Sequence, residues 1–213
     1  MNAKTYRSVL CYRLGISLFS ISAPCFAFSR VFAGDIFGDH VVSCAGILGI
    51  KHRHNVVRDT LVDVCYRSGI LARKEVDIRL SGGKDGALRP ADVLLYSWNR
   101  GRDVCDLTVS SPLTHYGLSD FVWGRVVTDA ANHKRVKYEA GCRAIGYGFL
   151  PFSFSSLGEL DKDVVALQKR VQKFFKTQDI GARAAAFTFT RIGFAIARGV
   201  GAQIVTRLPT NLL

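Results

Sequence analysis

Two apolar segments separated by a short turn constrain the fold of this chain more than any other feature. Val93–Trp98 is almost continuously apolar, and residues 99–102 lead directly into a second such segment, Asp103–Val109. Short apolar runs without polar alternation are typical of strands that are covered on both faces. The sequence therefore predicts a buried hairpin in the middle of a sheet.

The segments around this hairpin predict a mixed α/β fold. Apolar residues at helical spacing indicate helices over 55–70, 124–140, 158–177 and 182–199. Further strands are indicated over 75–80 and 147–154, and Pro151 favours a sheet edge for the latter because proline donates no ladder hydrogen bond. The order from Asn55 is helix, strand, strand, strand, helix, strand, followed by a helical tail.

Composition indicates a class of partner. Lys and Arg outnumber Asp and Glu by 29 to 17, giving a net charge of +12. This excess favours a polyanion, DNA and possibly RNA, because neutralised phosphates release condensed counterions. We expect no membrane partner, since no apolar stretch reaches the length of a span. We also expect no small-molecule substrate.

The six cysteines bear on the compartment. Cys65 and Cys105 fall within segments predicted to be buried, where free thiols are common. This placement favours a reducing compartment, the nucleus or the cytoplasm. The alternative is a secreted disulfide protein, because residues 14–29 are uncharged and follow basic residues as in a signal peptide. Pro24 and four serines interrupt that run, so secretion is the weaker interpretation.

Two aspartates lie on the predicted hairpin. Asp92 stands at the start of the first strand and Asp106 within the second, and antiparallel pairing about residue 99 would bring them together. Two converging carboxylates can hold Mg²⁺, which prefers oxygen ligands, with the Leu107 carbonyl as a further ligand. The structural alternative is that Asp92 caps a strand and Asp106 faces solvent.

Two lysines lie on the helix predicted over 124–140. Lys134 falls inside the apolar stripe that includes Val127, Ala131 and Tyr138, and Lys137 lies on the same side. An ammonium group in an apolar stripe must extend to solvent or meet an acid. The sequence thus predicts contact with the two carboxylates. The alternative makes both lysines rim residues that touch phosphate or water.

These motifs together resemble the PD-(D/E)XK, restriction-endonuclease-like domain at the C-terminal end of plant non-LTR retrotransposon polyproteins, which also carry a reverse transcriptase. The resemblance rests on residues 89–92, 106–108 and 133–138, with 51–55 matching an upstream arginine-histidine element and 148–152 and 158–160 also fitting. It implies a small mixed sheet flanked by helices, with added C-terminal helices. It further implies a metal-dependent nuclease that nicks target DNA so that the freed 3′ hydroxyl primes reverse transcription.

The resemblance also assigns roles to individual residues. The metal-binding acids are Asp92 and Asp106, and the candidates for the catalytic lysine are Lys137 and Lys134. The residues expected to contact nucleic acid are Arg53, His54, Arg89 and Arg135. Segment 51–157 is the endonuclease-like core, and 158–213 a helical extension.

Segment 1–50 matches the last part of a Cys/His zinc knuckle. Its candidate Zn²⁺ ligands are Cys25, His40 and Cys44, and Phe28 occupies the remaining ligand position. A closed structural zinc site needs four ligands. The sequence therefore predicts a degenerate knuckle that binds Zn²⁺ weakly or not at all.

The chain departs from the family in other places. One residue is missing before Asp106 relative to plant members, which reverses side-chain facing on one side of the deletion. Thr108 stands where other branches carry a lysine, and the chain has no adjacent pair of aspartates, so it lacks the polymerase signature. Two functions remain open: a Mg²⁺-dependent DNA endonuclease, or an eroded, inactive remnant that binds nucleic acid.

Overall fold

The computed structural model describes residues 1–19, 35–44, 48–80, 91–96, 101–113, 120–177 and 182–208. These residues form a mixed α/β fold in which a four-stranded sheet is flanked by helices. The helices are α1 (Ala3–Leu14), α2 (Asp39–Ser43), α3 (Leu48–Arg67), α4 (Arg125–Ala144), α5 (Lys162–Thr177) and α6 (Ala182–Val205). The strands are β1 (Ala72–Val76), β2 (Ala91–Tyr96), β3 (Arg102–Ser110) and β4 (Gly148–Ser155).

The sheet has the strand order β1-β2-β3-β4. The first three strands pair antiparallel, and β4 returns through α4 to lie parallel to β3 at one end of the order. Val93 pairs with Cys105, so the β2–β3 register has its midpoint at residue 99. The predicted hairpin pairing is therefore confirmed, as is the edge position of the strand that contains Pro151.

Helices cover both faces of this sheet. On one face, Leu94 and Val104 pack with Cys142 of α4. On the other, the strands pack against α3, α5 and α6 in a larger cluster whose largest fully buried members include Phe152 and Phe154. The prediction that β2 and β3 are covered on both faces is confirmed, because their apolar side chains alternate between the two clusters.

The first helix, α1, was not predicted from the sequence. The Asn2 side chain caps its start by accepting the Thr5 N–H at 2.8 Å, and Gly15 ends it in the left-handed conformation, φ 66°. The two caps define a short helix whose apolar periodicity is weak. Tyr12 of this helix is buried in the larger cluster.

Helix α1 packs closely against α6. A Cβ on Gly201 would lie 2.6 Å from methyl groups of Thr5 and Val9, so only glycine fits at this crossing. The larger cluster contains residues from segments 1–50, 51–157 and 158–213. The three segments that the resemblance distinguishes therefore contribute to one shared core.

All five cysteines that the structure describes carry free thiols, and Cys25 lies outside the described residues. Cys65 and Cys105 are fully buried, as predicted. Within the described ranges, no helix combines the length and apolar character needed to cross a bilayer.

Candidate active site

A cleft of about 450 Å³ opens beside the paired ends of β2 and β3. Helix α3 contributes His54 to its wall, the strands contribute Asp92 and Asp106, and α4 contributes Lys134 and Lys137. Every residue that the sequence placed in the catalytic group therefore lines one cavity. Its volume falls in the range of ligand-binding pockets.

Asp92 is held at the end of the hairpin by two donors. The β2–β3 register places it opposite Asp106, one step beyond the Val93–Cys105 pair. Its Oδ2 atom accepts the Leu107 N–H at 2.7 Å and lies 3.3 Å from His54 Nε2. The carboxylate thus continues the hydrogen-bonding ladder where the backbone pairing ends, and this fixes its orientation.

Asp106 meets the lysine that the helical stripe singled out. Lys134 Nζ lies 2.7 Å from Asp106 Oδ2, and each side chain is less than a quarter exposed, at 23% and 22%. The predicted contact of Lys134 with an acid is present, and that acid is Asp106. The Asp106 side chain faces Asp92, because the carboxyl groups of Asp92 and Asp106 are close enough to hydrogen-bond.

The two aspartates have opposite pKa shifts. Burial raises the pKa of Asp106 more than the nearby Lys134 charge lowers it, and the neighbouring Asp92 raises it further. Burial also acts to raise the pKa of Asp92, but the hydrogen bond and charge of His54, with the Leu107 N–H, bring it below its usual value. The pKa of His54 is raised, chiefly by its bond to Asp92. A pair of titrating groups with divergent pKa values in a cleft is typical of a functional site.

The second candidate lysine occupies a different position. Lys137 is exposed at the rim, with Nζ 5.0 Å from the centroid of the Tyr138 ring, while Lys134 Nζ lies 5.3 Å from the same ring. Of the two, Lys134 is the lysine for which the structure gives a contact with an acid. Tyr138 separates the two ammonium groups and forms part of the cleft wall.

The donor set of the cleft fits a hard divalent cation. Mg²⁺ is commonly bound through one or two carboxylates together with water and substrate phosphate, and Asp92 and Asp106 supply such a pair. Among the described residues there is no group of three or more His, Cys, Asp or Glu side chains placed to hold a metal. Asp92 and Asp106 would hold the cation, with water and substrate phosphate completing its coordination shell.

The knuckle residues give no comparable arrangement. His40 lies within α2, buried Cys44 follows that helix, and Cys25 lies outside the described residues. Among the described residues, which include His40 and Cys44, no group of three or more His, Cys, Asp or Glu side chains could hold a metal ion. The Zn²⁺ assignment stays a prediction.

The residues expected to contact nucleic acid lie in different environments. Arg53 is only 2% exposed, and its Nη2 donates to the Val42 carbonyl at 3.1 Å. Burial lowers the pKa of this guanidinium to about 10. Arg135 forms an ion pair with Asp163, and Arg89 lies outside the described residues. The guanidinium of Arg53 is directed into the protein in this structure.

The sequence assigned His54 to nucleic acid, whereas the structure places it against Asp92. A pattern in the sequence predicts that Arg53 is buried. Arg53 precedes Val57 by about one helical turn and Leu61 by about two, so it belongs to the buried stripe of α3. His54, the next residue, is then turned by about 100° toward the sheet end.

Comparisons with known proteins add no assignment: no protein-family model matches the chain, and a search of curated proteins finds no significant match.

Proposed function

We propose that this chain is a restriction-endonuclease-like module of retroelement origin that nicks DNA in a metal-dependent reaction. The order α3, β1, β2, β3, α4, β4 and the mixed sheet support this class, because they follow the helix and strand order that the resemblance implies. The proposed biological role is to nick target DNA so that the freed 3′ hydroxyl primes reverse transcription by a separate polymerase.

One observation carries the proposal. Carboxylates from two neighbouring strands, an ammonium from α4 and an imidazole from α3 converge in one cleft, although they are far apart in sequence. An apolar stripe alone would not require Lys134 to lie against Asp106, and a strand cap alone would not require His54 beside Asp92. Such convergence of an acid pair with cationic donors is the arrangement that phosphodiester hydrolysis needs.

Each group has a defined task in this proposal. Asp92 and Asp106 would hold Mg²⁺, which when bound neutralises phosphate charge and acidifies water. His54 and the Leu107 N–H keep the Asp92 carboxylate oriented and ionised. Lys134 Nζ is placed to donate to a phosphate oxygen and to stabilise negative charge that develops at phosphorus.

Nicking of supercoiled plasmid tests the proposal directly. The purified full chain with Mg²⁺ is expected to convert supercoiled DNA to open circles, and EDTA is expected to stop the conversion. Asp92→Asn should lower the rate at least about 100-fold, since loss of several kcal/mol of charge stabilisation is at stake. Asp129→Asn is the matched control, because Asp129 is an exposed aspartate on α4 whose Oδ2 lies 4.0 Å from Arg125 Nε. If the Asp92→Asn and Asp129→Asn variants nick the plasmid at equal rates, the endonuclease proposal is wrong.

A second function has one observation in its favour. The Lys134 ammonium already forms an ion pair with Asp106. The raised pKa of Asp106 also favours its protonated form, which is a poorer metal ligand. These facts favour an inactive remnant that still binds nucleic acid through its basic surface. That function predicts salt-dependent DNA binding with no Mg²⁺-dependent nicking.

A further inference from the structure

Helix α6 carries a stripe in which aromatic and basic side chains alternate. Phe187, Arg191, Phe194 and Arg198 fall within about 60° of one another around the helix at about 100° per residue. The stripe extends about 16 Å along the axis. Phe187 is 58% exposed and Phe194 48% exposed, whereas Ile192, Ala195 and Ile196 of the same helix are buried.

The stripe forms one wall of a groove of about 440 Å³ between α6 and α3. Val56 and Thr60 of α3 form the other wall, and none of the described residues that line the groove is acidic. Arg191 lies over the Phe187 ring, 5.6 Å from its centroid. Arg191 also forms an ion pair with Asp63, which pairs with Arg67 as well. The groove is therefore apolar at its base and positively charged along its rim.

The groove and the catalytic cleft lie on two sides of the same helix. His54 faces the cleft and Val56 faces the groove, about 200° further around α3. Between these two directions, the exposed residues Lys51 and His52 occupy the solvent face of α3. A flexible polyanion can thus pass from the cleft to the groove over a basic ridge that is about one helix diameter wide.

We propose that this groove binds single-stranded nucleic acid. Successive bases of an unpaired strand expose their faces and stack on aromatic side chains, while arginines between the rings neutralise the phosphates. A duplex hides those faces, so it would use the arginines but not the rings. This inference rests on the proposed function in one respect: the strand is taken to be continuous with the nucleic acid held at the cleft.

Fluorescence anisotropy with a fluorescein-labelled oligothymidine of about 20 nucleotides tests the groove. The full chain is measured in EDTA, so that binding is read without cleavage. Phe187→Ala and Phe194→Ala should each weaken binding about fivefold or more, the usual loss for one stacking platform. Phe194→Trp should retain wild-type affinity because the platform remains. The control is Tyr66→Ala, which removes another exposed ring, 76% accessible, at the far end of α3.

Salt dependence tests the contribution of the rim. Arg198→Gln should lower the slope of log affinity against log salt by about 0.7, the value for one phosphate contact on a single strand. Three results would overturn the proposal. The first is that Phe187→Ala and Phe194→Ala both bind oligothymidine as tightly as wild type. The second is that the two substitutions weaken binding of duplex DNA as much as binding of the single strand. The third is that wild type self-associates in sedimentation and the two alanine variants do not. Circular dichroism melts confirm that each variant is folded.

The experiments distinguish failure of the nuclease proposal from failure of the groove proposal. If Asp92→Asn abolishes nicking and leaves oligothymidine affinity unchanged, both stand. If plasmid nicking is absent while the phenylalanine variants still lose affinity, the nuclease fails and the groove stands.

Discussion

Removing the charge from each aspartate of the cleft should have unequal consequences for stability. Asp92 accepts two bonds, from Leu107 N–H and from His54, whereas Asp106 is buried beside another carboxylate and has a raised pKa. A hydrogen bond to a charged group contributes about 1.5–3 kcal/mol, and one to a neutral group about 0.5–1.5 kcal/mol. Asp92→Asn keeps an acceptor oxygen but loses the charge, so we expect a loss of about 1–2 kcal/mol at pH 7.

Asp106→Asn should change stability by less than about 1 kcal/mol in either direction. The substitution ends the unfavourable burial of a charge beside Asp92, and this offsets the lost attraction to Lys134. Because Lys134 is 23% exposed, its ammonium can turn toward water. Both variants are nevertheless expected to abolish nicking, since each removes one of the two carboxylates proposed to hold Mg²⁺.

The pH dependence of the two contributions also differs in sign. The folded-state pKa of Asp92 is lowered, so its stabilisation is present above its ordinary value of 3.8 and is lost as the pH falls through the lowered value. The folded-state pKa of Asp106 is raised, so ionising its buried carboxyl group destabilises the folded protein. This destabilisation develops as the pH rises from 3.8 through the raised value. The stability deficit of Asp92→Asn relative to wild type should therefore narrow as the pH falls below 3.8 toward the lowered value.

Urea denaturation followed by circular dichroism measures these differences. With an unchanged m-value, the shift in midpoint reports the change in the free energy of unfolding. The reasoning is refuted if the two variants lose equal stability at pH 7, or if Asp106→Asn is the more destabilised of the two.

Three further predictions concern other positions. Lys134→Ala should lower the plasmid nicking rate about 100-fold, while Lys137→Ala at the rim should lower it only a few-fold; the reverse order would place the catalytic ammonium on Lys137. Arg53→Met should leave the free energy of unfolding within about 1 kcal/mol of wild type and leave DNA affinity unchanged, because the described partner of the buried guanidinium is the Val42 carbonyl and not an acid; a specific loss of DNA affinity would contradict this. Thiol titration without reductant should count six thiols after denaturation and find Cys65 and Cys105 unreactive in the native protein, since burial raises both pKa values, that of Cys65 to about 12; fewer than six would indicate disulfides.

The β2–β3 hairpin was predictable because its pattern depends on local rules, whereas the strand expected over 75–80 lies at Ala72–Val76. Continuous apolar runs indicate strands covered on both faces, and the short turn at 99–102 allows few registers. The same argument placed Asp92 opposite Asp106. Lys134 was also predictable, since a charged residue in an apolar stripe needs a partner, and the two carboxylates lay within its reach.

Other features depend on tertiary contacts that no local pattern encodes. Arg53 lies on the buried side of α3, where its guanidinium meets the Val42 carbonyl, a partner from a segment with weak periodicity. Helix α1 was missed because its apolar periodicity is weak, and its caps at Asn2 and Gly15 are short-range signals that many loops also contain. The position of His54 beside Asp92 follows only once α3 is placed at the end of the sheet.

The close crossing of α1 and α6 has a consequence for the timing of folding. Val9 and Gly201 touch across about 190 residues of chain, so this contact carries a large loop-closure cost and slows folding. At a synthesis rate of about 5–20 residues per second, α1 would wait roughly 10–40 s for its partner to leave the ribosome. Helix α6 also supports α3, because Gly199 packs against Arg53, the neighbour of His54. The residues around the cleft would therefore reach their final positions only after α6 has docked, and until then the apolar side of α1 would lack its packing partner.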